Sequence, residues 1–256
     1  MTSTASTELR DTRSWSESPG ALRSQAVMEI QTRQAQRLVY GRMASEGKHE
    51  IVGLLRFAAM LRPIWSGSMA DDPYADWWLV KIERELTQAR EQLKHMENTV
   101  EQHLAGAPAV NVVVAQSLSP AKLELNFSNP YAFHGAYLLA DYDTLVRAVL
   151  TARHVGLMDS RTSEKLLAEG GRYLRAAYET GRGYRYMGIK RVDLVQGTAK
   201  ARKAIETLGE LPQPVITGEL RATYAPKVHG VDAADIDTAR SDTDDETHVP
   251  TDGVEE

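Results

Sequence analysis

The sequence predicts a mainly α-helical protein with one short β element. Long stretches carry apolar residues at steps of three and four, whereas "AKLELNFSNP", residues 121–130, alternates apolar and polar side chains. A lone strand cannot satisfy its own backbone groups, so this segment must pair either within its chain or with a second copy. The choice between those two partners decides what the segment is for.

Composition places the chain among soluble globular proteins. Hydrophobic residues make up 42% of the 256 positions and charged residues 25%, which is enough apolar material for a core. Cysteine is absent, which excludes disulfides and thiolate metal sites and agrees with a reducing compartment. The sequence has no run of about 18 apolar residues and no apolar signal-peptide segment near its start. We therefore expect a cytoplasmic protein.

The formal net charge of −5 combines two unlike regions. Residues 231–256 contain ten acidic residues and one arginine, whereas residues 147–203 contain thirteen Lys and Arg against five Asp and Glu. Both ends of the chain are poor in aromatic and branched side chains, so residues 1–22 and the acidic tail 231–256 are expected to be disordered. The basic block suits an anionic partner such as nucleic acid, although a solvated helical face would carry the same charge.

Residues 23–104 are predicted to form a helical region. Val27 and Ile30 begin a run of apolar residues at helical spacing, and a short apolar helix is expected to end at Pro63. The long helix that follows predicts pairing or bundle packing, because its apolar residues keep a heptad rhythm. These residues are Leu79, Ile82, Leu86, Ala89, Leu93, Met96 and Val100.

The second region, residues 109–228, is predicted to begin with two strands and to continue with two helices. A run of valines favours a strand over residues 110–116, and the strict alternation favours another over residues 121–127. Asn129 and Pro130 then give a strong helix start, because asparagine caps free amides and proline suits the first helical position.

A tight turn separates the two predicted helices. Gly156 is a helix stop, and Asp159 or Ser160 caps the next helix. The resulting order is strand, helix, turn, helix.

That order is typical of a ribbon-helix-helix protein, in which two chains each donate one strand to a ribbon that enters the major groove of DNA. The inward positions must be apolar, and here they are Leu123, Leu125 and Phe127. The outward positions must reach base edges, and here they are Lys122, Glu124 and Asn126. Lysine donates to guanine, asparagine bonds adenine, and glutamate accepts from the cytosine amino group.

Such a ribbon also needs phosphate contacts, for which the start of the second helix is suited by its free amides and dipole. Asp159 would repel phosphate, so we expect it to cap the helix while turned away from the DNA. The predicted phosphate-contacting residues are Ser160, Arg161, Thr162, Ser163 and Lys165. The same cluster also fits ordinary helix capping.

An alternative remains open for the strand. On pattern alone, the segment also fits the second arm of a hairpin with residues 110–116. In that case the outward triad is a solvated sheet face and carries no base readout.

Two stretches carry a resemblance to a known family: "ELNFSNPYAFHGAYLLADYDTLVRAVLTARHVGLM" and "GGRYLRAAYETGRGYRYMGI". They resemble the AcaB-like family of proteins, which are encoded on integrating conjugative elements and conjugative plasmids. The similarity covers about residues 25–228. It implies a dimeric ribbon-helix-helix core with an added N-terminal helical region, and a DNA-binding activator of conjugative transfer genes. Lys122, Glu124 and Asn126 match the base-reading positions, and residues 160–163 match the helix start that holds the DNA backbone.

No feature of the sequence points to an enzyme, a metal or a cofactor. The seven histidines are scattered without metal-ligand spacing, and the glycine-rich residues 181–188 follow a helix instead of the strand that a dinucleotide site requires. We therefore expect a homodimeric DNA-binding transcriptional regulator whose N-terminal helices dimerise or touch the transcription machinery. The alternative is a helical, non-enzymatic interaction protein of the same element whose basic block docks an acidic partner.

Overall fold

The structure describes residues 26–107 and 110–228, which form eight helices and four short strands. The tails predicted to be disordered, residues 1–22 and 231–256, lie outside the described residues. The elements in chain order are β1 Val27–Ile30, α1 Arg33–Tyr40, β2 Gly41–Arg42, β3 Ile51–Val52, α2 Leu54–Met69, α3 Pro73–Ala105, β4 Ala121–Glu124, α4 Pro130–His154, α5 Ser160–Glu179, α6 Arg191–Gln196, α7 Ala199–Leu208 and α8 Gln213–Thr217.

Helices α3, α4 and α5 form the centre of this computed structural model. Helix α4 runs in the same direction as α3, because Glu83 and Arg90 of α3 contact Tyr131 and Asp141 of α4 in that order. Helix α5 turns back and packs against both. One cluster of buried apolar side chains extends from β1 to the C-terminal segment, so both predicted regions contribute to the same core.

Helix α3 confirms the heptad prediction, and its start is set by ordinary capping chemistry. Asp72 caps the helix by accepting from the amide of Tyr74 at 2.8 Å, and Pro73 occupies the first helical position. The predicted seam is buried at every position, namely Leu79, Ile82, Leu86, Ala89, Leu93, Met96 and Val100.

The start of the described chain is a strand, and the helical prediction for Val27 and Ile30 is wrong. Met28 and Ile30 are buried while Val27 and Glu29 are exposed, which is the period of a strand. Four residues are too few to separate the two periods from sequence. The helix begins only after Thr32, whose side chain caps α1 by accepting from the amide of Ala35.

Pro63 does not end α2, which continues to Met69. A proline inside a helix removes one backbone hydrogen bond and costs about 3 kcal/mol. Burial of the following turn offsets that cost, because Ile64 and Gly67 lie in the core. The prediction that the helix closes at Pro63 is therefore wrong.

Strand β4 pairs with β1 of the same chain. The pairing is antiparallel, with Met28 opposite Leu123 and Glu29 opposite Lys122. The amide of Leu125 also donates to the carbonyl of Ala26 at 2.8 Å. A two-stranded ribbon therefore exists, but it forms within one chain where the sequence predicted a ribbon between two copies.

Residues 110–116 do not form the predicted strand. They run along α4, where the amide of Ala115 donates to the hydroxyl of Thr151 at 3.0 Å and its carbonyl accepts from Arg147 at 2.9 Å. No strand lies beside them in the described part of the chain. The hairpin between residues 110–116 and β4 is therefore also absent.

The starts of α4 and α5 follow the sequence signals. Asn129 accepts from the amide of Ala132 at 3.0 Å, and Asp159 accepts from the amide of Thr162 at 2.9 Å. Helix α4 continues without interruption to His154.

Three short helices close the fold at the N-terminal end of α3. Asp76, fully buried, accepts from Arg221 Nε at 2.8 Å and also from Arg191, the first residue of α6. The hydroxyl of Tyr74 donates to the carbonyl of Gly209, just after α7, at 2.6 Å. These contacts fix α6, α7 and the segment after α8 to the central bundle.

Candidate nucleic-acid interface

The ribbon formed by β1 and β4 has one face in the core and one face in solvent. Met28, Ile30 and Leu125 are buried, and Leu123 packs against the same cluster. Phe127, just after the strand, makes an edge contact with Phe133 at 5.4 Å between ring centroids. The predicted inward orientation of Leu123, Leu125 and Phe127 is confirmed.

The outer face presents the three residues predicted to read bases. Lys122, Glu124 and Asn126 are all exposed. The Nζ of Lys122 lies 3.8 Å from the Glu29 carboxylate on the neighbouring strand, with 69% and 51% of the two side chains exposed. An exposed pair at this distance contributes about 1 kcal/mol or less, so it leaves Lys122 able to exchange Glu29 for another acceptor.

Charge on this face does not by itself attract DNA. Glu29 and Glu124 outnumber Lys122, so the face carries a small negative excess. Polar side chains that fit base edges determine sequence preference, whereas overall attraction comes from cations that meet phosphates. Any attraction of the molecule to phosphates must therefore come from cations elsewhere on its surface.

The start of α5 holds the residues predicted to contact phosphate. Ser160, Arg161, Thr162 and Lys165 are exposed, whereas Ser163 is buried. The carboxylate of Asp159 accepts from both the amide and the hydroxyl of Thr162, which lowers the pKa of Asp159. The prediction that Asp159 caps the helix is confirmed, and a carboxylate already occupies part of the anion-attracting helix end.

The hydroxyl of Ser163 points into the helix and donates to the carbonyl of Asp159 at 2.9 Å. Arg161 and Lys165 are the two cations at this end of α5. An anion at this end of α5 would therefore meet the long side chains of Arg161 and Lys165 more than free helix amides.

The ribbon and the start of α5 lie at different levels of α4. Asp143, in the middle of α4, accepts from the Gln31 amide at 2.7 Å and from the Thr32 hydroxyl, which places the end of β1 there. Helix α5 begins only after His154. The end of β1 and the start of α5 are therefore separated by about 16 Å along the α4 axis, at 1.5 Å per residue. No hydrogen bond or ion pair within the described ranges joins them.

A third group of cations lies on the segment from residue 182 to α7. This segment follows the last residue of α5, so it lies at the end of the bundle opposite the start of α5. This segment, which we call the basic arm (residues 182–203), has seven Lys and Arg and one Asp. Arg182 pairs with Glu50 and Glu179, and Arg191 pairs with Asp71 and Asp76. The other five cations are exposed and form no ion pair with any described carboxylate: Arg185, Lys190, Lys200, Arg202 and Lys203.

The sequence signalled this arm as part of a longer basic block. Which of its cations are neutralised depends on carboxylates far away in the chain, such as Glu50 and Asp76, and no local pattern reveals those pairs.

Burial raises the pKa of Asp72, beside the arm, to about 6, although hydrogen bonds from the Tyr184 hydroxyl at 2.8 Å and the Tyr74 amide act in the opposite direction.

The described residues contain no group of side chains that could hold a metal ion. Among the helices of residues 26–107 and 110–228, none combines the length and the apolar character needed to cross a bilayer.

Comparison with known proteins places the chain in one family. The family model "Transcriptional regulator AcaB" matches residues 18–229. The crystal structure of selenomethionine-containing AcaB from uropathogenic E. coli has a similar fold, with a TM-score of 0.54 and 15% sequence identity over 79% of this chain and 98% of that chain. No curated protein matches the sequence. The chain belongs to the AcaB family of transcriptional regulators.

Proposed function

We propose that this protein is a dimeric, sequence-specific DNA-binding regulator that activates conjugative transfer genes of a mobile element. The observation that carries the proposal is the ribbon. Two antiparallel strands pack on helices by an apolar face and present lysine, glutamate and asparagine outward, and a two-stranded ribbon has the right width to enter the major groove. Membership of a transcriptional regulator family supports the same function.

Three groups of residues have separate roles in this proposal. Lys122, Glu124 and Asn126 read base edges. Ser160, Arg161, Thr162 and Lys165 contact phosphates, whereas we assign the buried Ser163 a structural role at the helix start. The unpaired cations of the basic arm supply the long-range attraction that the ribbon face lacks.

Base readout is tested by truncating the outward side chains. Lys122→Ala and Asn126→Ala are each expected to weaken binding to the preferred site by about 1–3 kcal/mol, because a base edge loses its hydrogen-bonding partner. Binding to unrelated DNA should change little. Fluorescence anisotropy with a site selected by genomic pull-down, and with a scrambled duplex, measures both affinities.

Lys203→Ala is the matched control for charge. It removes one exposed cation of the basic arm, so it should weaken binding to both duplexes equally and reduce the salt dependence by about one phosphate contact. A uniform loss on both duplexes for Lys122→Ala and Asn126→Ala would remove them from base readout.

Activation of transfer genes rests on the family resemblance and has its own test. Deletion of the coding sequence from its mobile element should abolish transcription of the genes next to the bound sites and reduce transfer in a mating assay. Bound sites whose neighbouring transcripts rise after deletion would identify a repressor instead.

A further inference from the structure

The basic arm (residues 182–203) carries five cations that form no ion pair with a described carboxylate. Lys190 immediately precedes α6, and Lys200, Arg202 and Lys203 lie on α7. All four side chains are exposed, as is that of Arg185. Like charges held this close repel one another, so a polyanion that binds across the arm relieves that repulsion.

Two apolar side chains are exposed between these cations. Val192 is 52% exposed and Val195 is 76% exposed, and both belong to α6. The phosphates of a duplex can meet the cations but leave the two valines in water. A peptide that combines carboxylates with aliphatic side chains fits both features of this surface, because burial of the valines is favourable as well.

The last described residues of the chain lie next to the basic arm. The carbonyl of Pro226 accepts from the Arg221 guanidinium at 2.9 Å, and Arg221 Nε donates to the Asp76 carboxylate at 2.8 Å. Arg191, the first residue of α6, donates to the same carboxylate. One buried carboxylate therefore links the start of α6 to the segment that ends at Val228, and the chain beyond Val228 begins beside the arm.

The sequence beyond Val228 has the chemistry that fits this surface. Residues 231–256 contain ten acidic residues, one arginine and no lysine. The stretch "VDAADID", residues 231–237, also places Val231 and Ile236 among three aspartates. A chain as long as residues 231–256 can span about 85 Å at most, so every part of the arm is within its reach.

We propose that the acidic tail (residues 231–256) docks on the basic arm of its own chain. Its carboxylates pair with the exposed cations of the arm, and the aliphatic side chains of residues 231–237 cover Val192 and Val195. Tethering favours this contact, because a short connection gives the tail an effective concentration on the order of millimolar at the arm.

The docked tail also competes with DNA, because phosphates and carboxylates seek the same cations. DNA must displace the tail before it meets the arm, so the tail lowers the affinity that the arm contributes on any duplex. This competition rests on the proposed function, whereas the docking itself does not require that the protein bind DNA.

Carbodiimide cross-linking of the full chain, without DNA, tests the docking. The reagent joins lysine amines to carboxylates already in contact, and peptide mass spectrometry identifies the joined residues. Tail carboxylates are expected on Lys190, Lys200 and Lys203. Lys122 and Lys165 are internal controls, because they are also exposed but lie elsewhere. They should give about tenfold less product, since only chance encounters bring the tethered tail to them.

Isotope labelling shows whether the contact is within one chain. Labelled and unlabelled chains are mixed in urea, refolded together and cross-linked. Docking within the chain predicts joined peptides of a single isotope. Peptides of mixed isotope at the statistical share would assign the contact to a second copy and overturn the proposal.

A charge reversal separates docking from mere proximity. Arg202→Glu leaves every lysine in place, yet it should lower the yield of tail cross-links at Lys200 and Lys203 about fivefold, because an attraction becomes a repulsion. Arg161→Glu, at the opposite end of the bundle, should leave the yield unchanged. Circular dichroism melting checks that both variants are folded. Equal yields in Arg202→Glu and wild type, or cross-links spread evenly over all exposed lysines, would overturn the docking.

Competition with DNA has a separate readout. A full chain with Asn or Gln in place of every Asp and Glu of residues 231–256 should bind a scrambled duplex about tenfold more tightly at about 50 mM salt. The gain should shrink in the Arg202→Glu background. An equal gain in both backgrounds would mean that the tail repels DNA without occupying the arm. If the wild type binds no duplex while the expected cross-links form, the proposed function fails and the docking stands.

Discussion

Asp76→Ala is expected to lower the free energy of unfolding by about 3–5 kcal/mol. The Asp76 carboxylate is fully buried and accepts hydrogen bonds from Arg191, Arg221 and the Ser68 hydroxyl. Its removal leaves the Arg221 guanidinium without a carboxylate partner and the Arg191 guanidinium with Asp71 alone, and that poorly compensated charge is the source of the loss.

Urea denaturation of the full chain at pH 7 measures this loss. Asp141→Ala is the matched control, because it also removes an aspartate that faces an arginine, Arg90 at 2.7 Å, but in a pair that is partly exposed to solvent. The control should cost about 1 kcal/mol or less. Equal losses in the two variants would show that the buried network does not fix the C-terminal helices.

Asp72→Asn is expected to stabilise the protein at neutral pH by about 3 kcal/mol and to have much less effect near pH 4. Burial raises the pKa of Asp72 in the folded chain to about 6, from an ordinary value of 3.8. Between these two values the folded state binds more protons than the unfolded state. The stability of the wild type therefore falls as pH rises through this range.

The measurement is the difference in unfolding free energy between wild type and Asp72→Asn at several pH values from 4 to 8. Asparagine keeps an oxygen that can accept from the Tyr74 amide, so the capping contact is retained. The difference should grow as pH rises towards 6 and level off above 7. A difference that is constant with pH would mean that Asp72 titrates at an ordinary pKa in the folded state.

The long helices were predictable because their signals are local and repeated. The apolar seam of α3 recurs over many turns, and the starts of α4 and α5 depend on Asn129 and Asp159, which act on amides three residues away. Capping and heptad patterns therefore identified these elements correctly.

The pairing of the strands was not predictable from local pattern. Val27–Ile30 fits both a helical and an extended period, and its partner Ala121–Glu124 lies more than ninety residues away in the chain. Residues 110–116 have strong β-propensity but lie against a helix, because Thr151 and Arg147 take the hydrogen bonds of Ala115. Tertiary contacts decided both outcomes.

In the candidate site, too, local patterns predicted some features and tertiary contacts decided others. The outward orientation of Lys122, Glu124 and Asn126 follows from alternation and is confirmed. Their role in reading bases stays a prediction. The five unpaired cations of the basic arm emerge only when the distant carboxylates that neutralise Arg182 and Arg191 are known.

Methylation interference on the bound DNA site tests the central claim most directly, namely that the ribbon reads bases in the major groove. Dimethyl sulfate modifies the N7 atom of guanine, an acceptor on the major-groove edge that a lysine can contact. The account predicts that methylation of particular guanines within the site blocks binding of the wild type, and that Lys122→Ala loses this sensitivity. Unchanged binding to a site methylated at every guanine, with the wild type still selecting that site over scrambled DNA, would contradict it.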